Sequence, residues 1–153
     1  MKHILKRATS LMLVVAMILS LAPAAFAAGE DTGVTYYVAN SDNGGSNNDG
    51  NGTKGKPYMT IGNAIAKAKD AGATAVTINL LSDIGASLEL KFDNSIPVTI
   101  QSSDGATHMI QYTGTSPIGS ESGFIKATGS ADLTFKNVKL AGSTGAYDGR
   151  VLY

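Results

Sequence analysis

From Val34 onward the hydrophobic positions fall in short runs, separated by stretches of Gly, Ser, Thr, Asn and Asp. The runs are rich in Val, Ile and Thr, which is the pattern of strands bounded by turns. They predict strands at Val34–Ala39, Val76–Leu81, Ser87–Phe92, Pro97–Gln101, His108–Tyr112, Gly123–Ala127, Asp132–Phe135, Val138–Leu140 and Arg150–Tyr153. One stretch has a different period. Ile61, Ala64, Ile65, Ala68 and Ala71 share one face at helical spacing and predict a helix from Ile61 to Ala71. Thr60 suits its N-cap and Gly72 its stop. The Ala-rich face implies close packing against something flat.

The strand runs repeat. Val-Thr-Ile at 76–78 returns at 98–100, a shift of 22. Ser87-Leu88 and His108-Met109 are offset by 21, and Phe124 and Val151 by 27. Leu133-Thr134-Phe135 follows Val98-Thr99-Ile100 at a shift of 35, beyond a Gly- and Ser-rich insertion from Gly114 to Gly123. Self-similarity at roughly 20–50 residues points to stacked repeats. Short strands with no helices between them suit an all-β solenoid, in which each coil lays parallel strands on the coil below. The competing fold is an antiparallel β-sandwich, which also uses short, evenly spaced strands. A sandwich gives a lone Ala-faced helix no role, whereas the open end of a solenoid needs a cap.

The first residues change the picture by adding a leader. Lys2, Lys6 and Arg7 precede an apolar run from Leu11 to Ala22, then Pro23 and the small-residue site Ala25-Phe26-Ala27. A basic start, a short apolar centre and an A-x-A site form a secretory signal, with cleavage expected between Ala27 and Ala28. The run is shorter than the roughly 20 apolar residues a span requires, so no stable membrane span is expected after cleavage. The domain reading is a signal peptide over 1–27, an opening strand and Asn/Gly-rich loop over 28–57, and a capping helix with the first coils over 58–153; the last two form one domain. Removing the leader leaves nine Lys and Arg against twelve Asp and Glu, a formal charge of −3. That balance argues against nucleic acid, which wants a basic stripe. With no cysteine, an exported domain is held by its core alone.

The opening segment resembles a known family. Tyr36-Tyr37-Val38, Asp49-Gly50-Asn51-Gly52-Thr53, Pro57-Tyr58-Met59-Thr60-Ile61, then Ala64-Ile65 and Ala68 look like the N-terminal opening of bacterial right-handed parallel β-helix proteins, the pectate-lyase-like superfamily. Val76 to Ile84 and Ala131 to Val138 resemble coils of large cell-surface members of that group. The resemblance spans nearly all of residues 34–153. It implies a right-handed parallel β-helix with an N-terminal capping helix. Many members follow the helix with a Gly-Asp step and a strand ending in Gly-x-Tyr, but Ala71-Gly72-Ala73-Thr74-Ala75 stands here, a variant more like the surface proteins than the lyases. Arg150-Val151-Leu152-Tyr153 reads as the opening of another strand without a polar cap, so a longer protein with further coils is expected.

Candidate chemistry is sparse. Asn47-Asn48-Asp49-Gly50-Asn51-Gly52 matches the first half of a calcium loop, but Tyr58 stands at the twelfth position in place of a bidentate Glu. Asp42, Asp49 and Asn51 are the weak calcium ligands this loop offers, and the bland alternative is a polar surface loop leading into the cap. No other cofactor is expected. His108 is the one histidine after the leader, which excludes a multi-histidine zinc site within this chain. The family's polysaccharide lyases use a calcium-binding carboxylate cluster with an Arg or Lys base. Here Asp83, Glu89, Asp93, Asp104, Asp132 and Asp148 are scattered, and Lys91, Lys126, Lys136, Lys139 and Arg150 are bases in name only. Asn79 and Asn137 are candidates for an internal amide ladder.

These features predict a secreted, extracellular or cell-wall-associated β-helix module acting as a non-catalytic scaffold or adhesin. It would face polysaccharide or another surface polymer. The alternative is the N-terminal portion of a polysaccharide lyase or glycoside hydrolase with its catalytic coils beyond residue 153.

Overall fold

The computed structural model describes residues 32–92, 95–114, 124–128 and 132–142. The expected leader, with its expected cleavage site at Ala25, Ala27 and Ala28, lies outside these residues, as do most of the expected insertion and the expected strand at Arg150–Tyr153. Within them the chain forms β1 (Gly33–Val38), helix α1 (Ile61–Asp70), β2 (Ala75–Leu80), β3 (Ile84–Ala86), β4 (Leu90–Phe92), β5 (Val98–Ser102), β6 (His108–Tyr112), β7 (Ile125–Ala127), β8 (Leu133–Lys136) and β9 (Val138–Ala141).

Every pairing between these strands is parallel. The first sheet runs β1-β2-β5-β8, the second β3-β6-β9 and the third β4-β7. The chain therefore visits the three sheets in turn, and each strand pairs with its counterpart from the previous circuit. In the first sheet Val76 pairs with Val98 and Ile78 with Ile100, while Val98 pairs with Leu133. The sequence shifts of 22 and 35 are thus the registers of two successive pairs. The shift of 21 is not a register. β6 pairs with β3, Ile84 against Ile110, and the expected strand Ser87–Phe92 shrinks to β4, with Ser87 and Leu88 left outside it. β3 escapes the sequence pattern because Ile84-Gly85-Ala86 holds one β-branched residue beside a Gly, a weak strand signal.

The buried apolar side chains of the three sheets form one cluster. Val76, Ile78 and Leu80 of β2, Val98 and Ile100 of β5, Ile84 of β3, Ile110 of β6, Phe92 of β4 and Ile125 of β7 are all buried. Alternation along each strand sends every second side chain inward. Parallel register then stacks like on like from one circuit to the next. Leu133, Phe135, Val138 and Leu140 of the last described circuit pack against this core and are partly buried.

α1 packs on β1 and β2. Its buried residues are Ile61, Ala64, Ile65 and Ala68, and the alanines allow close approach. Ala71 is a correction to the expected face: it lies past the last helical residue and is exposed. Thr60 Oγ1 accepts from the Asn63 N–H at 3.2 Å. At the other end Gly72 adopts φ +69°, donates to Lys69 O at 2.9 Å, and lets Ala73 N–H reach Ala68 O at 3.0 Å. This pair of bonds closes the helix as a Schellman motif. Thr60→Ala is expected to cost about 1 kcal/mol, the usual loss of an N-cap oxygen. Thermal melts of the two proteins check it, and an unchanged melting temperature would remove Thr60 as the cap.

The opening loop ties β1 to α1. Tyr37 N–H donates to Gly52 O at 2.8 Å, Tyr58 N–H to Tyr37 O at 2.9 Å and Ala39 N–H to Tyr58 O at 3.0 Å. Tyr36 and Tyr58 meet edge to face, 5.3 Å between ring centres. Asn47 Oδ1 accepts from the N–H groups of Met59 and Thr60 at 3.1 and 3.2 Å.

Candidate functional site

Three turns from the first sheet to the second lie one above another. They are Leu81–Asp83 before β3, the longer loop 103–107 before β6, and the single residue Asn137 before β9. Asn137 makes so tight a turn by adopting φ 52°, which Asn tolerates better than most residues. Its side chain accepts from Thr107 Oγ1 at 2.7 Å and donates to Ala106 O at 2.9 Å. Below, Asn40 N–H donates to Ser82 Oγ at 2.8 Å, and Asn40 Nδ2 donates to Asp83 O at 3.2 Å. The result is a polar column running up one corner of the fold.

His108 sits in this column. Its Nε2 is 2.8 Å from Asp104 Oδ2, and its Nδ1 is 3.8 Å from Asp83 Oδ1. The imidazole is mostly buried, with 14% of its side chain exposed. Asp83 Oδ1 also accepts the Met109 N–H at 2.7 Å, and His108 N–H donates to Ser102 Oγ at 3.0 Å. The His108 bond, then the Ala106 N–H at 3.1 Å, holds the Asp104 carboxyl below the usual carboxylate range. The sequence pattern placed His108 at the start of a strand and left the carboxylates scattered. Two of those carboxylates meet at His108: Asp104 is its neighbour four residues back, and the β3–β6 register brings Asp83 from the turn below against His108 and Met109.

Chemically this is a clamp. Each imidazole nitrogen faces a carboxylate, and the one hydroxyl bonded to His108, that of Ser102, is engaged by its backbone N–H. An Asp–His pair can orient an imidazole for proton transfer, but here the pair closes on the turn itself. Because the folded state lowers the Asp104 pKa, the associated stability is present at neutral pH and is lost as pH falls through the carboxylate range. Asp104→Asn is expected to flatten that acid limb, so that wild type and variant converge at low pH. Thermal melts across a pH series decide it; curves that stay parallel would assign the acid limb elsewhere.

Of the calcium candidates, Asn51 and Asp42 have local side-chain partners. Asn51 Oδ1 accepts from Thr53 N–H at 3.2 Å and from Thr53 Oγ1 at 2.7 Å, a local turn. Asp42 Oδ1 lies 3.5 Å from Ser41 Oγ, and Asp49 N–H donates to Ser46 Oγ at 3.0 Å. Among the described residues no group of three or more His, Asp or Glu could hold a metal ion. The expected amide ladder is also rearranged. Asn79, 5% exposed, accepts from Gln101 Nε2 at 2.9 Å, while Asn137 bonds to the loop 103–107. Lys91 lies 3.5 Å from Glu89. Asp93, Asp148 and Arg150 fall outside the described residues. No helix among the described residues is long and apolar enough to cross a membrane. No family model, curated protein or solved structure matches the chain.

Proposed function

We propose that this protein is an exported right-handed parallel β-helix module, capped at its N-terminal end by α1, that serves as an extracellular or cell-wall-associated scaffold facing polysaccharide or a similar polymer. The observation that carries this reading is the circuit order: successive strands pass through three parallel sheets and each pairs with the strand one circuit earlier. A stack of that kind makes an elongated, regular surface from short repeats. The basic, apolar and A-x-A pattern from Lys2 to Ala27 supports export.

The experiment has two arms. Expression in a bacterium with the leader intact is expected to deliver a product beginning at Ala28 outside the cytoplasm; retention of the uncleaved chain inside would sink the export reading. The purified product is then incubated with acidic and neutral polysaccharides. Co-sedimentation without new reducing ends or unsaturated sugars is the expected result. Turnover by this chain alone would replace the scaffold with a lyase or hydrolase.

A further inference from the structure

The first sheet begins one layer below the other two. β1 lies under β2, whereas β3 and β4 open the second and third sheets with no described strand beneath them. Thr113 N–H donates to Ala86 O at 2.8 Å. In a parallel ladder the residues of a strand alternate in the neighbour they bond. Ala86 and Ile84 therefore face β6, and the N–H and C=O of Gly85 face the outer edge. No described residue hydrogen-bonds to Gly85 on that side, and Gly85 is exposed.

A cleft of ≈ 210 Å³ follows this edge, between Thr60–Ile61 and the segment Ile84–Leu90. Its lining is mostly apolar. Leu88 on its wall is 78% exposed, and Met59, next to Thr60, is 38% exposed. These are the two exposed large hydrophobic residues among those described. Glu89 lines the same cleft, with Oε2 3.5 Å from the Nζ of Lys91, whose side chain is 72% exposed.

We propose that the outer edge of β3 is a docking strand for an extended segment of a partner polypeptide. The segment adds beneath β3, sets an apolar side chain in the cleft against Ile84 and Leu88, and brings a basic side chain to Glu89. An outward N–H and C=O on one residue is the spacing a strand backbone matches, and unpaired edges of this kind are templates for strand addition. Exposed edges are commonly blunted by charge or Pro, and Ile84-Gly85-Ala86 carries neither. Glu89 selects a basic neighbour because a charge-assisted bond is stronger than the loose pairing with exposed Lys91. Such docking depends on the cleft and the edge alone, wherever the protein works.

The test uses the full 153-residue chain, labelled with ¹⁵N, and an acetylated, amidated Thr-Val-Lys-Val-Thr peptide at millimolar concentration. The Gly85 amide is expected to shift, and its hydrogen exchange to slow about tenfold or more at saturation, as a newly protected amide does. Replacing the peptide's Lys with Glu is expected to weaken binding about tenfold. Gly85→Pro removes the outward N–H and leaves the β3–β6 bonds in place, since Pro is tolerated where a strand N–H faces away from the ladder, so it is expected to abolish binding. A peptide N-methylated at its bonding positions covers the case in which that variant fails to fold, because the protein is then unchanged. Absence of binding, binding without protection of Gly85, or equal binding by the N-methylated peptide would each overturn the proposal. Self-association through β3 without peptide would also overturn it, by assigning the edge to a second copy.

Discussion

Replacing Ile100 with Ala is expected to lower the unfolding free energy by about 3 kcal/mol, within the range measured for large-to-small changes in closed cores. Ile100 is 0% exposed and pairs with Ile78 on one side and Phe135 on the other. A cavity here opens between two stacked circuits whose backbones are fixed by parallel ladders, so the walls can collapse little. For a domain of this size the loss corresponds to roughly 10 °C in melting temperature. Thr99, its neighbour on the opposite face, is half-buried, and Thr99→Ala is expected to change stability by no more than about 0.5 kcal/mol. Urea denaturation of the two variants side by side checks the pair. Equal losses would mean that the first sheet does not turn Ile100 inward.

Gly52→Ala is expected to cost about 3 kcal/mol or more, from two sources that act together. Gly52 adopts φ +77°, and a residue bearing Cβ pays roughly 1–2 kcal/mol in the left-handed region. A Cβ at this position would also lie 2.5 Å from Tyr36 Cδ1 and 2.7 Å from Tyr58 Cε2. Those atoms belong to the edge-to-face pair that joins β1 to the segment leading into α1, so relief requires separating the two rings. Overpacking of this sort typically adds about 1–3 kcal/mol. Gly55 offers the control, because an added Cβ there meets nothing within 4 Å. Gly55→Ala is expected to melt like wild type, while Gly52→Ala loses both stability and the near-ultraviolet dichroism of its tyrosines. Similar behaviour of the two variants would refute the role of the ring pair.

Strand β1 was legible in the sequence from its own residues, whereas its contact with Gly52 was not. Tyr36, Gly52 and Tyr58 are well separated along the chain, yet they form one contact in which each residue type is dictated by the others. Helix α1 was legible for the same reason as β1. Its period, its Thr60 cap and its Gly72 stop are all local, and local chemistry decides them before any tertiary contact forms. The strands of the first sheet carried the signal of β-branched runs in near-identical register.

The second sheet was less legible. β3 has one β-branched residue and is a strand because β6 pairs with it, so its neighbour and not its own propensity makes it extended. Ile84 meets Ile110 in the second sheet, whereas Ile78 meets Ile100 in the first. The offset therefore differs between sheets, and the shift of 21 between Ser87-Leu88 and His108-Met109 is no register. The variation has a plain cause. The turn to β6 is longer than the turn to β3, and inserted turn residues change sequence spacing without changing strand register. The same length variation concealed the cluster at His108. Asp83 and His108 stand a full circuit apart in the chain, a separation that carries no meaning until the circuit is closed.

The sequence alone therefore determined the short-strand character, helix α1 with its Thr60 cap and Gly72 stop, two of the three registers of the first sheet, and the polar loop that joins β1 to α1. Each follows from nearest-neighbour chemistry, from β-branched stiffness, from a cap oxygen or from a glycine's left-handed backbone. The tertiary structure decided which strands share a sheet, that Asn79 meets Gln101, that Asp83 and Asp104 enclose His108, and that the outer edge of β3 borders a cleft. These depend on stacking circuits of unequal length. Two residues on successive circuits come into contact or stay apart according to how many turn residues lie between them, and the count by itself does not say where those residues fall.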